Sequence, residues 1–311
     1  RQMCIRDRGT GTLINGIINI YKEAGFTSHD VVAKLRGIVK QKKIGHTGTL
    51  DPDAVGVLPV CFGNATKLCD MLTDKTKEYR ARMLLGKTSD TQDASGTILT
   101  EKEVTASEEE VREAVMSFVG TYDQIPPMYS ALKVNGKKLY ELARQGVEIE
   151  RKPRIVEIHH IRIEEIALPY VTFTVGCSKG TYIRTLCADI GDKLGCGALM
   201  ESLVRTRVGT FPIEEALKLS QVEELVREGH LEERVIAPDA VFEEYEAITA
   251  LPEADKALLN GNKLYFRQVR AVRKRFADGE WVRVYASNGT FTGVYVFSEE
   301  EHGFKPYKMF L

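Results

Sequence analysis

Residues 45–68 read GHTGTLDPDAVGVLPVCFGNATKL, and they carry the strongest structural signals in the chain. Asp51 stands at the centre of a polar loop, in which glycines at 45, 48 and 56 permit tight turns. Pro52 biases Asp51 away from helical backbone, so the carboxylate is presented on an extended or turned segment. The apolar run Val55–Phe62 follows and predicts a buried strand. A polar loop that leads into a rigid strand is a suitable support for a reactive side chain.

The local pattern leaves two interpretations of Asp51 open. Asp-Pro sequences beside glycines commonly form turns in which the aspartate only caps its own backbone. Alternatively, Asp51 is a catalytic carboxylate, with His46, Thr47 and Thr49 beside it as hydrogen-bonding groups. A motif of this length is a hypothesis until the rest of the chain supports it.

Composition and charge limit the class of protein. The chain has 311 residues, 43% of them hydrophobic and 28% charged, which suits one large domain and a small one. No apolar run approaches the length of a membrane span, so we expect no membrane partner. The six cysteines form no CxxC pair and no cluster with histidine, which argues against a metal site and favours a protein of the reducing cytoplasm.

The charges are segregated along the chain, although the net charge is only −1. Residues 31–50 contain five cations and no acid, whereas acidic residues concentrate at 101–113 and 222–245. Such a distribution can present a basic face to phosphates. It is equally consistent with a helix that has a solvated lysine side.

Periodicity predicts interspersed strands and helices without a regular βαβ repeat, which indicates an α+β fold with a mixed or antiparallel sheet. Predicted strands cover 17–21, 55–62, 78–85, 156–163, 171–175 and 201–205. Predicted helices cover 29–40, 65–72, a segment between Ser107 and Gly120, and 181–194. Residues 1–12 show neither periodicity nor a motif, so we expect a non-native or disordered flank there.

Near 246–253 a strongly acidic helical segment gives way to a β-rich sequence. We place a domain boundary there, with a first domain over 13–247 and a second over 248–311. Asp278-Gly279 and Asn288-Gly289 are hairpin signals around predicted strands at 281–285 and 291–297. A basic stripe in this domain suits RNA binding, or protects an exposed sheet edge from aggregation. The stripe consists of Lys263, Arg267, Arg270, Arg273, Lys274 and Arg275.

The 45–68 segment resembles the signature of the bacterial TruB-type tRNA pseudouridine synthases, which are related to the dyskerin-type enzymes. The likeness is strong over 15–215 and loose over 250–311. It implies the pseudouridine synthase fold, a bent mixed and largely antiparallel sheet with the active cleft across its middle. It also implies that 248–311 is a small β-rich PUA-like domain that binds RNA.

The resemblance assigns roles to individual residues. Asp51 matches the catalytic aspartate, Tyr79 the tyrosine that stacks on the target base, and Arg184 the arginine that pairs with the aspartate. Without the resemblance, Tyr79 would be interpreted as core filler and Arg184 as part of a structural salt bridge. We expect Arg184 to grip the carboxylate with two nitrogens. Further candidates for substrate binding are His46, Gly48, Thr49, Lys77, Lys133, Tyr182 and Leu203.

The segment 124–154 begins QIPPMYSALK and is similar to the loop with which these enzymes grip RNA. It is rich in cations, which supports contact with phosphates. We therefore expect the partner to be tRNA, through its T-arm stem-loop, with no obligate protein partner and a monomeric enzyme. The resemblance implies no cofactor and no metal, because these enzymes convert uridine to its isomer pseudouridine, which needs no redox change and no group donor.

The activity implied is isomerisation of the uridine conventionally numbered 55 in tRNA, with the base flipped into the site and Asp51 attacking it covalently. The attack is on ribose C1′ or uracil C6, and the sequence does not choose. Two rivals are a tRNA-binding or tRNA-folding module whose main role is not catalysis, and a guide-RNA-dependent pseudouridine synthase. The 124–154 insertion and the lack of basic tails favour an enzyme that acts alone.

Overall fold

A computed structural model describes residues 13–271, 273 and 275–311 of the chain. The flank expected at 1–12 lies outside the described residues, as does Lys274 of the basic stripe. Two larger sheets with helices packed against them form the described part, which confirms the α+β class. None of the helices in this part of the chain combines the length and the hydrophobicity that a membrane crossing requires.

The chain up to residue 228 forms the first sheet, two small two-stranded sheets and the helices around them. The strands are β1 Gly16–Lys22, β2 Ile44–His46, β3 Val55–Phe62, β4 Lys77–Leu85, β5 Lys87–Ser89, β6 Ile98–Glu101, β7 Gly120–Gln124, β8 Lys133–Val134, β9 Lys137–Lys138, β10 Arg154–Ala167, β11 Tyr170–Cys177, β12 Ala198–Val208 and β13 Phe211–Pro212. The helices are α1 Ser28–Val39, α2 Cys69–Thr73, α3 Glu108–Met116, α4 Leu139–Arg144, α5 Ile183–Leu194 and α6 Leu219–Glu228.

Nine of these strands form one sheet in the order β1-β3-β12-β4-β11-β10-β7, with β2 on β3 and β13 on β12. Every pairing is antiparallel except that of β3 with β12, which is parallel. The mixed, largely antiparallel sheet is therefore confirmed. Its parallel pair brings Gly56 against Arg205, where a Cβ on Gly56 would lie only 2.2 Å from the Arg205 carbonyl oxygen. Gly56 also has a φ of +112°, so this close crossing of strands requires glycine.

Most predicted elements occur with small shifts at their ends. Helix α1 begins one residue before its predicted start, because Thr27 and Asp30 form a reciprocal capping box. The helix predicted over 65–72 is instead a 3₁₀ turn, Gly63–Leu68, followed by the short α2. In this turn the Thr66 hydroxyl donates to the Gly63 carbonyl at 2.8 Å, which competes with regular helical bonding.

Two apolar clusters fix the helices on the sheet. Side chains of α3 and α5 pack with β4, β10, β11 and β12, including Val111, Leu186 and Phe173. Helices α1 and α6 pack with β1 and β3, including Leu35 and Val222. The first cluster also contains residues of the Asp51 loop, so the candidate site is built on a rigid core.

The second sheet starts at Glu246, two residues before the boundary that we predicted. Its strands are β14 Glu246–Ala250, β15 Leu264–Tyr265, β16 Val269–Arg270, β17 Trp281–Tyr285, β18 Phe291–Ser298 and β19 Gly303–Met309, with the helix α7 Asp255–Leu259 beside them. Their order is β15-β19-β18-β17-β14-β16. Asn288-Gly289 joins β17 to β18 as a hairpin. The hairpin prediction for Asp278-Gly279 is wrong, because this turn instead binds β18, with the Gly279 N–H donating to the Phe297 carbonyl.

The two sheets are joined by an aromatic cluster and by polar contacts to the chain near residue 310. Phe310 is buried, with its ring 5.9 Å from that of Phe242 and 5.5 Å from that of Phe291. The Lys67 ammonium donates to the carbonyls of Met309 and Leu311 at 3.0 and 3.2 Å. The β-rich second part therefore packs on the first.

Candidate active site

The loop that carries Asp51 is closed at both ends by paired strands, since β2 and β3 are antiparallel neighbours. Leu50 and Ala54 are each only 3% exposed and pack into the core beneath the loop. Between these two anchors the Asp51 side chain is 48% exposed. Its backbone carbonyl accepts a hydrogen bond from the Ala54 N–H at 3.0 Å, which closes a turn. The sequence thus holds a solvent-facing carboxylate on a fixed backbone.

Arg184 approaches this carboxylate from the first turn of α5. Its side chain is 6% exposed, and its Nε lies 3.4 Å from Oδ2 of Asp51. The terminal nitrogens Nη2 and Nη1 donate to the carbonyls of Tyr129, at 2.6 Å, and Thr91, at 3.3 Å. The two-nitrogen grip that we expected is therefore wrong, because within the described residues the guanidinium donates to backbone carbonyls and makes no hydrogen bond with the Asp51 carboxylate. Nε makes no hydrogen bond within the described residues, so its contact with Asp51 is electrostatic.

Tyr79 lies on β4 directly opposite Arg205 of β12. It is 9% exposed and packs in the same apolar cluster as Leu50 and Leu203. Burial raises the pKa of the Tyr79 phenol above its ordinary value of 10.0, and the positive charge of Arg205 opposes this shift. The phenol is therefore protonated at neutral pH.

Arg205 is a site component that the sequence analysis did not identify. It is 1% exposed, and its guanidinium donates to the Val57 carbonyl at 2.7 Å and to the Gly48 carbonyl at 3.2 Å. It therefore ties β12 to β3 and to the Asp51 loop. The signal was present in the sequence, because residues two apart on a strand share a face and Leu203 was already a candidate.

Lys22, at the end of β1, is a second missed component. It is fully buried, and its ammonium donates to the carbonyls of Phe26 at 2.7 Å, Pro52 at 3.0 Å and Glu23 at 3.2 Å. Burial lowers its pKa to about 8, an effect that the nearby carboxylates of Asp53 and Asp51 partly offset. Nothing in the local sequence marks this lysine as buried, because its partners come from two loops.

The segment 124–154 leaves the edge of the sheet and returns to the same point, since Gln124 of β7 pairs with Arg154 of β10. It contains the β8–β9 hairpin and α4. It reaches the site through the Tyr129 carbonyl, which accepts from Arg184. The insertion and the candidate nucleophile are therefore connected through one arginine.

Comparison with known proteins identifies the family. Residues 36–183 match the family described as TruB family pseudouridylate synthase (N terminal domain), and 184–247 match the tRNA pseudouridylate synthase B C-terminal domain. A protein of Lachnoclostridium phytofermentans named tRNA pseudouridine synthase B is 52% identical over 309 residues, covering 96% of this chain and 100% of that relative. The chain belongs to the TruB family. A relative of the same name from Alkaliphilus oremlandii is 48% identical over 297 residues, covering 95% of this chain and 97% of its own.

Solved structures agree with the family assignment. The chain is similar to a protein in the crystal structure of a Cbf5-Nop10-Gar1 complex, with a TM-score of 0.72 and 27% identity over 95% of this chain and 85% of that one. It is also similar, with a TM-score of 0.72 and 25% identity, to a chain in an H/ACA RNP bound to a substrate RNA containing 2′-deoxyuridine, over 95% of this chain and 85% of that one. This TruB family protein therefore has the pseudouridine synthase fold, shared with the dyskerin-type enzymes, and is an isomerase that makes pseudouridine.

Three other predicted residues of the TruB loop lie beside Asp51. The His46 ring is half-buried and stands edge-on to that of His29, with centroids 5.2 Å apart. Burial lowers the pKa of His46 below 6.5, and the neighbouring His29 and Arg205 lower it further. Its Nδ1 is buried without a hydrogen-bond partner in the described part of the chain. Gly48 has a φ of +69° and Thr49 is exposed.

The remaining four candidates lie in different surroundings. Leu203 packs with Tyr79, and Tyr182 is the N-cap of α5. The buried Lys77 donates to the carbonyls of Thr73 and Lys75, which hold the turn before β4, and burial lowers its pKa to about 8. Lys133 is exposed on β8, and within the described residues no hydrogen bond or ion pair links it to Asp51, Tyr79 or Arg184.

The described residues contain no group of three or more histidine, cysteine, aspartate or glutamate side chains placed to hold a metal ion. The five described cysteines are all free thiols. The polar groups that surround Asp51 are instead cations and backbone carbonyls. Such an arrangement can hold a carboxylate in one orientation.

Proposed function

We propose that this TruB family enzyme acts on tRNA and converts the uridine at position 55 of the T-arm loop to pseudouridine. The curated relatives support tRNA as the substrate class, because they bear the name tRNA pseudouridine synthase B over nearly their whole length. The observation that carries the proposal is the exposed Asp51 carboxylate, 3.4 Å from Nε of Arg184. A fixed and accessible carboxylate is what a nucleophile requires.

Asp51 attacks the flipped nucleotide, either at ribose C1′ or at uracil C6. In either route the N1 glycosidic bond breaks, the uracil turns, and C5 bonds to C1′ while the C5 proton leaves to solvent and N1 gains one. No group donor is needed, because substrate and product have the same composition. Flipping the base costs a few kcal/mol, which stacking and new hydrogen bonds in the pocket offset.

Tyr79 supports the flipped base by stacking, together with the apolar side chain of Leu203. Its raised pKa keeps the phenol protonated, so the resting side chain is a poor base for the C5 proton. His46 is neutral at physiological pH, and we assign it a positional role in the space that the flipped nucleotide vacates. Gly48 and Thr49 shape the same loop.

The insertion at 124–154, with Lys133, and the domain that we predicted at 248–311 would bind the RNA backbone and shape. In the second domain the stripe is partly neutralised, since Lys263 pairs with Glu301 at 2.9 Å and Arg273 pairs with Glu246 and Glu280. Arg267, Arg270 and Arg275 are exposed. These three are the cations that we expect to meet phosphate. We further propose that the enzyme works in the cytoplasm as a monomer.

The decisive experiment measures tritium release from tRNA labelled at uridine C5, with purified protein and no other component. We expect release from wild-type tRNA and none from a transcript with cytidine at position 55. Asp51→Asn should abolish release while tRNA affinity stays within a few-fold, and Asp53→Asn, an exposed neighbour, is the matched control.

Each alternative function has its own signature in this experiment. Continued release by Asp51→Asn would show that another group is the nucleophile. Tight tRNA binding without release by the wild-type protein would favour a tRNA-folding module. Release that depends on an added guide RNA would favour the dyskerin-like mode of action.

A further inference from the structure

Gln124 lies where the insertion leaves the sheet, and its side chain is 1% exposed. Its Oε1 accepts from the Tyr182 N–H at 2.8 Å, and its Nε2 donates to the Tyr182 carbonyl at 3.0 Å. Nε2 also donates to the Tyr122 hydroxyl at 2.6 Å. The amide thus pairs with both backbone groups of one residue, as a neighbouring strand would, although Gln124 and Tyr182 lie on separate elements.

Tyr182 is the N-cap of α5, and its own side chain makes no capping hydrogen bond. The backbone that enters the helix is therefore held by Gln124. Arg184 is the second residue of this helix. Any shift of the N-cap moves the base of the arginine side chain relative to Asp51.

The insertion also holds the far end of the same arginine. The Tyr129 carbonyl, five residues along the chain from Gln124, accepts from Nη2 of Arg184 at 2.6 Å. Gln124 fixes the backbone of the arginine's helix, and the Tyr129 carbonyl fixes its guanidinium. Both contacts come from the base of one segment, whose ends are paired through Gln124 and Arg154.

We propose that Gln124 is a positioning residue for the isomerisation, which couples the seating of the insertion to the placement of Arg184 and, through it, to the orientation of Asp51. Gln124 touches neither the carboxylate nor the base. The proposal rests on the function proposed above. When RNA binds the insertion, the side-chain amide of Gln124 transmits the position of the insertion to Arg184 and so to the Asp51 carboxylate.

The test compares Gln124→Met, which keeps the volume and removes all three hydrogen bonds, with Ile155→Ala, whose side chain lies on β10 outside the insertion and is 78% exposed in the wild type. Single-turnover tritium release and the tRNA dissociation constant are measured for each. Since misplacement by about 1 Å can cost roughly 100-fold in rate, we expect a loss of that order for Gln124→Met with affinity within about threefold. Ile155→Ala should match the wild type in both.

A double-mutant cycle with Arg184→Lys separates positioning from general damage. If Gln124 acts through Arg184, Gln124→Met should slow the Arg184→Lys enzyme by less than about threefold. If Gln124→Met does not fold, Gln124→Glu, which keeps the acceptor for the Tyr182 N–H, takes its place with an intermediate loss expected.

An unchanged rate in Gln124→Met, equal losses of rate and affinity, or full additivity with Arg184→Lys would overturn the proposal. Failure of the function itself has a different signature. In that case the wild type and Ile155→Ala would also release no tritium from the position-55 substrate.

Discussion

The closest approach of Arg184 to Asp51 is through Nε, 3.4 Å from Oδ2, while its two terminal nitrogens donate to the backbone carbonyls of Thr91 and Tyr129. The guanidinium is therefore held by two loops before it reaches the carboxylate. Asp51 is half exposed, so solvent screens the ion pair and its contribution to folding stability is small. The ion pair therefore serves to orient the Asp51 carboxylate and adds little to folding stability.

Arg184→Lys tests this orientation, because lysine keeps the charge but cannot donate in three fixed directions. We expect the single-turnover rate to fall roughly 100-fold, with tRNA affinity within about threefold. Tritium release and filter binding measure the two quantities. Arg80→Lys, at an exposed position of β4, is the control and should leave both unchanged. A wild-type rate for Arg184→Lys would show that charge alone suffices.

Arg205→Met should destabilise the fold. It leaves the carbonyls of Val57 and Gly48 without their donor, and each buried unpaired group costs about 1–3 kcal/mol. We expect the free energy of unfolding to fall by roughly 2–4 kcal/mol in denaturant titrations. Arg207→Met, which removes a partly exposed side chain with one carbonyl contact, should cost less than about 1 kcal/mol. Equal costs for the two variants would contradict this assignment.

Lys22→Met should impair catalysis although Lys22 makes no contact with Asp51 in the structure. Its ammonium holds the carbonyl of Pro52, the residue after the proposed nucleophile Asp51, and also fixes the carbonyl of Phe26. We expect at least a tenfold lower single-turnover rate and a lower melting temperature. Lys218→Met, whose ammonium lies at the surface 3.9 Å from Glu23, is the control. A lower melting temperature with a wild-type single-turnover rate per folded molecule would show that Lys22 stabilises the fold without affecting catalysis.

Asp189 predicts a pH-dependent effect on stability. Burial, with a smaller contribution from the charge of Asp192, raises its pKa from 3.8 to about 6, and the Tyr122 hydroxyl opposes this shift. Between these values the folded state binds more protons than the unfolded state, so this group's contribution to stability is lost as pH rises through 6. Asp189→Asn should therefore raise the melting temperature relative to wild type at pH 7.5.

The advantage of Asp189→Asn should shrink as the pH is lowered toward 4, because the buried aspartate becomes protonated in the folded state below about pH 6 and no longer carries a buried charge. Thermal unfolding at both pH values measures it. The exposed Asp123→Asn, on β7, should show no such trend. An effect of Asp189→Asn that is independent of pH would show that burial of the charge is not its cause.

Local sequence was sufficient for the elements whose signals are local. The Asp51 loop, the buried strand after it and the capped helix α1 follow from glycine, proline, apolar periodicity and a capping box. The pairing of Arg184 with Asp51 came from the resemblance to a family, because nothing local relates residues so far apart. The grip with two nitrogens was wrong because backbone carbonyls from distant loops compete for the guanidinium.

The hydrogen-bond partners of the buried cations are the main feature that the sequence could not reveal. Lys22 looks like an ordinary surface residue, and Arg205 is marked only by sharing a strand face with Leu203, until the carbonyls that accept from them are placed by the tertiary structure. The same holds for Gln124, whose partner belongs to a helix that follows much later in the chain. Strand order is equally non-local, since β12 lies between β3 and β4.

That insertion of a late strand between two early ones has a consequence for synthesis of the protein. The Asp51 loop and Tyr79 are translated close together, yet the strands that carry them join one sheet only when β12 lies between them. A nascent chain that ends before β12 lacks the strand that joins them. The candidate site therefore cannot assemble until the chain has been synthesised as far as Val208.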